Sequence, residues 1–349
     1  MLVNGRWTSD WTPVQAKDAD GRFVRQVSGF RDWVGDDGPS GVRHLPATPG
    51  RFHLYVALIC PWASRTLIAR TLKGLEEVVS VSVVEPWLGP EGWAFGTGIE
   101  GAEADPHGAR PHVHRLYTDT DSSYTGRATV PVLWDTLEQR IVNNESADIL
   151  KMLDTGFGAL ASDRYRLRPP TLEAEIDRLN AMLYDGLNNG VYRAGFASSQ
   201  LAYDEAVAGV FATLDELEAR LADGRPWLFG PSLTETDIRL FVTLVRFDVA
   251  YHGLFKCNLR ALGDYPRLFA HTRRFLALPG VSATVNLEHI RQGYYSIRAL
   301  NPNGIVPAGP LAPFGSDARG SATRRSGDRR ADVAVRYPVT TAPPNSSAR

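Results

Sequence analysis

The amino-acid sequence predicts an α/β half followed by an all-α half, on three observations. Strand-like and helix-like segments alternate from Arg51 to Leu153, whereas from about residue 165 apolar residues recur only at helical spacing. The length of 349 residues also exceeds one ordinary domain. The hydrophobic fraction of 43% and net charge of −1 are those of an ordinary soluble chain and give no electrostatic footprint for nucleic acid. No apolar run approaches the roughly 18 residues of a membrane span, and Met1 to Asp20 is too polar for a signal peptide. A cytoplasmic protein with neither membrane nor nucleic acid as partner is expected.

Residues 1–49 carry Trp7, Trp11, Phe23, Phe30 and Trp33 among Gly, Asp and Pro without a sustained period. Disordered segments are poor in aromatics, and aromatics bury large areas even outside regular structure. This stretch therefore reads as an ordered extension laid on the domain behind it.

The domain at 50–160 opens on a strand-like run, residues 51–59, joined directly to a helical segment, Ala63 to Leu75, with Cys60 at the junction and Pro61 suited to the first turn. A thiol there faces unpaired N–H groups and the positive end of the helix dipole, an environment that lowers cysteine pKa values to roughly 3.5–7.5. The alternative is a buried cysteine used as a small hydrophobe. Cys60 and Cys257 are the only cysteines, and Ala63 stands where a CxxC motif has its second thiol. A reactive Cys60 would thus need an external thiol to resolve any mixed disulfide.

Val78 to Glu85 alternates Val and Ser and reads as a second strand. Residues 86–116, with Trp87, Trp93 and Phe95, form a connection of a length usually tied to function. His107, His112 and His114 have no Cys or Glu in ligand spacing and read as exposed loop histidines, with no metal expected. Ala128 to Asp135 then reads as a strand, with Gln139 to Asn143 its antiparallel neighbour. Pro131 removes a ladder donor. A cis Val130–Pro131 bond would leave the Val130 backbone free to pair with an extended ligand, and an edge-strand proline accounts for the position equally well.

A helix follows from Asn144 to Leu153. Asn144, Glu145 and Ser146 at its start suit capping alone, or capture of a zwitterionic amino-acid group, with Glu145 taking the ammonium and Ser146 the carboxylate. Strand, helix, strand, hairpin, helix is the order of a thioredoxin-like domain. In the second half, 165–300, Leu172 to Tyr184, Leu201 to Leu221, Thr236 to Val249 and Tyr265 to Leu278 have helical periodicity, and Thr234-Glu235-Thr236-Asp237 has the form of a capping box.

A thioredoxin-like half joined to a helical half with this cap resembles the cytosolic glutathione transferase superfamily. Cys60-Pro61-Trp62-Ala63, Tyr124-Thr125-Gly126-Arg127, Val130 to Asp135, Asn144-Glu145-Ser146, Tyr251 to Asn258 and Asn301 to Pro307 together resemble the glutathionyl-hydroquinone reductases, the Xi class, over about Gly5 to Pro310. The resemblance implies that Cys60 attacks the thioether sulfur of a glutathionylated hydroquinone and forms a mixed disulfide, which a second glutathione resolves. Trp93, Arg127, Val130, Glu145 and Ser146 would hold glutathione as a co-substrate, with no tightly bound cofactor. The acids that protonate the ring carbon would be Tyr192 and one of Tyr294 or Tyr295; each could equally be a packed tyrosine. Tyr251 and His252 would line the quinone pocket, or His252 would cap the helix. A homodimer is implied, and residues 301–310 would close the site.

Gly293 and Ser296-Ile297-Arg298 stand where the class pattern has histidines, and the Ser-, Arg-, Pro- and Ala-rich stretch 311–349 is expected to be a disordered tail. Four lysines among 38 Lys+Arg leave 38 − 4 = 34 arginines. Such a bias accompanies GC-rich bacterial coding, and some of those bacteria make mycothiol, so mycothiol in place of glutathione is an alternative. A general thioltransferase and a non-catalytic binding protein of the same fold are the two others.

Overall fold

The computed structural model describes residues 1–8, 16–310 and 313–314. Its sheet is built on Phe52–Val56, every residue of which is buried. That strand pairs in parallel with Val79–Val83 and antiparallel with Val132–Asp135, which in turn pairs with Arg140–Asn143. The result is a mixed four-stranded sheet with the thiol strand in an inner position. An inner strand covered on both faces needs a continuous apolar run, and Leu54, Tyr55 and Val56 supply it. Observed strands are shorter than the expected ones, because residues 128–131 precede the ladder, and the Val130–Pro131 bond is cis.

Nine α-helices are described: α1 (Pro61–Leu72), α2 (His114–Thr120), α3 (Ser146–Lys151), α4 (Glu173–Met182), α5 (Gly190–Gly195), α6 (Gln200–Arg220), α7 (Glu235–Arg246), α8 (Pro266–Leu276) and α9 (Leu287–Tyr295). Helices α3, α4 and α7 each run on into a π turn, at Met152–Gly156, Leu183–Asn188 and Phe247–Tyr251. Helix α7 is buried at every position and forms the core of the helical half. Its start is fixed as the sequence predicts. Asp237 accepts hydrogen bonds from the Thr234 N–H at 2.9 Å and the Thr234 hydroxyl at 3.1 Å, and also from Leu228 N–H and His271.

The extension 1–49 packs on the domain behind it. Phe30 lies 5.4 Å from the Tyr124 ring, and Trp33 is buried. Phe23 reaches across to Phe196 of the helical half. Trp11 and nearly all of 311–349 lie outside the described residues; Phe314 is buried beside Phe269. Residues 301–310 follow α9, tied by Asn301 to the Tyr295 carbonyl and by Arg291 to the Ala308 carbonyl, and none of them lines the cleft described below.

Candidate active site

Pro61 at the first turn makes Cys60 the N-cap of α1. The thiol lies at the base of a cleft of about 240 Å³ between the two halves, and it is partly exposed there. Behind it the Cys60 loop is pinned from the other half. Arg246, at the end of α7 and 2% exposed, donates from Nε to the Ile59 carbonyl at 2.8 Å. Its terminal nitrogens donate to the Leu58 carbonyl at 2.8 Å, the Ser64 hydroxyl at 2.6 Å and the Val242 carbonyl at 2.7 Å. No carboxylate pairs with it among the described residues, so an uncompensated positive charge sits behind the thiol.

The expectation of a lowered thiol pKa is corrected. Burial pushes the Cys60 thiol up, and this outweighs the N–H groups of Ala63 and Trp62 and the charges of Arg246 and Arg25, all of which act the other way. The thiol donates to the Val130 carbonyl at 3.5 Å. The helix terminus does favour the thiolate, but desolvation of the same sulfur is the larger effect.

One wall of the cleft comes from the α/β half and the extension. Trp93, Arg127, Val130, Glu145 and Ser146, all expected as thiol-binding residues, line it together. The Val130 N–H has no partner among the described residues. Glu145 is the N-cap of α3, accepting from Ala147 N–H at 3.1 Å, and Ser28 of the extension donates to its other oxygen at 3.0 Å. Trp93 arrives through the long connection, which contains a short hairpin, Leu88–Gly89 with Gly92–Trp93, before α2.

The facing wall is tyrosine. Tyr192 on α5 and Tyr294 on α9 share a hydroxyl–hydroxyl hydrogen bond of 2.6 Å, and Tyr251 joins Tyr294 at 2.9 Å. Burial pushes all three phenols up, reinforced at Tyr192 by Cys60 and at Tyr251 and Tyr294 by the neighbouring phenols, so they are neutral donors. A Cβ on Gly293 would lie 2.2 Å from the Pro86 carbonyl and 2.7 Å from Ile59, so only glycine lets α9 come close enough to the Cys60 loop to place Tyr294. Tyr295 points elsewhere, its hydroxyl 2.7 Å from the position of a Cβ on Gly253. Tyr295 and His252 do not line the cleft, and Tyr251 stands behind Tyr294. Of the two tyrosines expected as alternatives, Tyr294 is the one on the cleft, and His252 takes the helix-end position, at the C-cap of the π turn Phe247–Tyr251.

Two features of the loop histidines also differ from expectation. His114 is buried, and Glu91 of the hairpin, 3.1 Å from His114 Nε2 and 3.5 Å from His112 Nδ1, joins the pair. Tertiary folding thus supplies the acidic neighbour that local spacing lacked. The two imidazoles are stacked within 11° of parallel, and one ligand atom from each of Glu91, His112 and His114 lies within 4.8 Å of the others. Arg25 and Arg246 escaped sequence reasoning. Arg246 had a signal, a cation inside the apolar run Ile238 to Val249; Arg25, in the aperiodic extension, had none.

The family model for the glutathione S-transferase N-terminal domain matches residues 59–155, and that for the C-terminal domain matches residues 200–274. The glutathionyl-hydroquinone reductase PcpF of Sphingobium chlorophenolicum is 48% identical over 90% of this chain and 97% of its own length. YqjG of Escherichia coli, a glutathionyl-hydroquinone reductase, is 46% identical over 91% of this chain and 99% of its own. Its glutathione-bound structure superposes with a TM-score of 0.81 at 44% identity, covering 89% of this chain and 96% of that one. The Xi transferase of Phanerochaete chrysosporium gives a TM-score of 0.79 at 45% identity over 84% and 99% of the two chains. The chain belongs to the glutathione transferases and, within them, to the glutathionyl-hydroquinone reductases of the Xi class.

Proposed function

We propose that the protein removes glutathione from glutathionyl-hydroquinones, releasing the hydroquinone and leaving a mixed disulfide on Cys60 that a second glutathione resolves. The observation that carries this reading is the pairing of a lone thiol with a chain of neutral phenols across one cleft. Thiol attack on a thioether sulfur expels carbon, and carbon leaves only if a proton reaches it; the presence of Tyr192 and Tyr294 in the same cleft as Cys60 supports them as the donors. Without a second thiol near Cys60, resolution falls to an external thiol.

The other wall suits glutathione residue by residue. Glu145 takes the γ-glutamyl ammonium, Ser146 and the α3 N-terminus its carboxylate, the Val130 backbone the peptide, and Arg127 with Trp93 the glycyl end. Among the described residues no helix is long and apolar enough to cross a membrane. We place the protein in the cytoplasm as a homodimer, as the class implies.

The test is intact-protein mass spectrometry after incubation with a glutathionyl-hydroquinone in the absence of free thiol. A glutathione adduct on the wild type, with free hydroquinone released and no adduct on Cys60→Ala, is the expected result. Absence of the adduct on the wild type sinks the reading, and the mycothiol conjugate run in parallel then shows whether only the thiol differs. A thioltransferase would turn over small disulfides and ignore Tyr192→Phe.

A further inference from the structure

The charged side chains lining the cleft are Arg25, Arg127 and Glu145. A glutathionyl group carries one ammonium and two carboxylates. On the reading above Glu145 answers the ammonium, Ser146 with the α3 N-terminus one carboxylate, and Arg127 the other. Arg25 remains without a counterpart.

Arg25 is not a structural ion pair. Its Nε donates to the Asn189 amide oxygen at 2.9 Å, one terminal nitrogen is buried with no partner, and no carboxylate pairs with it among the described residues. It is fixed in place by rings: the guanidinium carbon lies 4.5 Å from the Trp62 centroid, 4.9 Å from Tyr192 and 5.2 Å from Phe23. Contacts with ring faces hold the cation without neutralising it, and desolvation beside aromatic walls strengthens its pull on any anion. Arg25 and Arg127 also repel each other, which an arriving anion would relieve. Among these ring partners are Tyr192, on the tyrosine wall, and Trp62, two residues after Cys60.

We propose that Arg25 is a further catalytic residue, whose guanidinium receives the phenolate oxygen of the departing hydroquinone. This rests on the function proposed above. Proton delivery from the Tyr192–Tyr294 pair to the ring carbon bearing sulfur, with the ring hydroxyl returning its proton to that pair, gives the keto tautomer of the conjugate. The Cys60 thiolate attacks the glutathionyl sulfur, the S–S bond forms, and the C–S electron pair moves into the ring, turning the keto oxygen into a phenolate. That phenolate takes up the proton given by the Cys60 thiol on ionisation. The two sulfurs are oxidised to the disulfide, the ring carbon is reduced from C–S to C–H, and no further reactant is needed. Negative charge thus develops on the ring oxygen, where a preorganised cation lowers the barrier.

The experiment compares the full-length wild type, Arg25→Gln and Arg25→Lys. Each is assayed with a glutathionyl-hydroquinone and, separately, with bis(2-hydroxyethyl) disulfide plus glutathione, a thiol exchange that expels no phenolate. Loss of a preorganised donor to a developing oxyanion costs about 10²–10³-fold in rate. The ratio of conjugate to disulfide turnover should fall by that order in Arg25→Gln and recover to within about tenfold of wild type in Arg25→Lys, which keeps the charge. Arg25 also favours the Cys60 thiolate, so a common fall of both activities is expected from the thiol alone; an unchanged ratio of conjugate to disulfide turnover, with or without a raised KM for glutathione, overturns the proposal. Independently, 4-nitrophenol is titrated against each protein at pH values on either side of the phenol's own pKa. Tighter binding of the phenolate by wild type, lost in Arg25→Gln, is expected; equal or weaker phenolate binding by wild type overturns the proposal even if the variant fails to fold. A wild type inert towards the conjugate would instead refute the parent reading, while the phenolate titration still decides for Arg25.

Discussion

Replacing Arg246 with methionine tests how the helical half governs a thiol that belongs to the other half. The substitution keeps an apolar stem of similar length but deletes the donors to the Ile59 and Leu58 carbonyls and the Ser64 hydroxyl. The Val242 carbonyl also loses Arg246, but as an i−4 carbonyl inside α7 it keeps its helical role. Two buried carbonyls are then left unpaired, at about 1–3 kcal/mol each, which gives roughly 2–6 kcal/mol. Relief from burying an uncompensated guanidinium offsets part of this, so a loss of about 3 kcal/mol is expected. The thiol moves as well. Burial already holds the Cys60 pKa above the ordinary cysteine range, and Arg246 opposes it, so removing the charge raises the pKa further and lowers the thiolate fraction at neutral pH. Denaturant unfolding reads the first effect, and the pH dependence of iodoacetamide alkylation of Cys60 reads the second. Each tenfold loss of alkylation rate at fixed pH corresponds to about 1.4 kcal/mol of lost preference for thiolate. Arg246→Lys should recover part of the alkylation profile but little stability, since one ammonium cannot reproduce the fork. Wild-type stability together with an unchanged alkylation profile in Arg246→Met would refute the reasoning.

Three further outcomes are expected. Tyr294→Phe removes both hydroxyl contacts of the phenol chain and should lower kcat for the conjugate by about 10²-fold with glutathione KM unchanged, whereas Tyr295→Phe should alter neither; steady-state kinetics on the two variants decides. Glu145→Gln keeps an oxygen able to cap α3 but loses the charge, so KM for glutathione should rise at least about tenfold with unfolding midpoint little changed, by the worth of a charge-assisted hydrogen bond. Asp237→Ala strands the Leu228 and Thr234 N–H groups and His271 in a fully buried place and should cost about 3–5 kcal/mol in calorimetry or denaturant unfolding.

The sequence by itself determined the two-part architecture, the position of Cys60 at a helix start, the capping box at Thr234 and the acidic cap at Glu145. Each depends on neighbours within a few residues, where periodicity, proline and capping chemistry act directly. Motif resemblance added Trp93, Arg127, Val130, Glu145 and Ser146, which the fold brings to one wall of the cleft from segments far apart in the chain. Helices α5 and α9 were not visible, because six and nine residues are too few to show a period, and they carry the two tyrosines that face the thiol. Tertiary structure alone decided four things: Tyr294 rather than Tyr295 meets Tyr192, Glu91 joins His112 and His114, Arg246 pins the Cys60 loop, and Arg25 is left without a carboxylate. The thiol pKa belongs with these. A helix terminus is written in the local sequence and favours the thiolate, but desolvation is set by everything that packs around the sulfur, and here it is the larger effect.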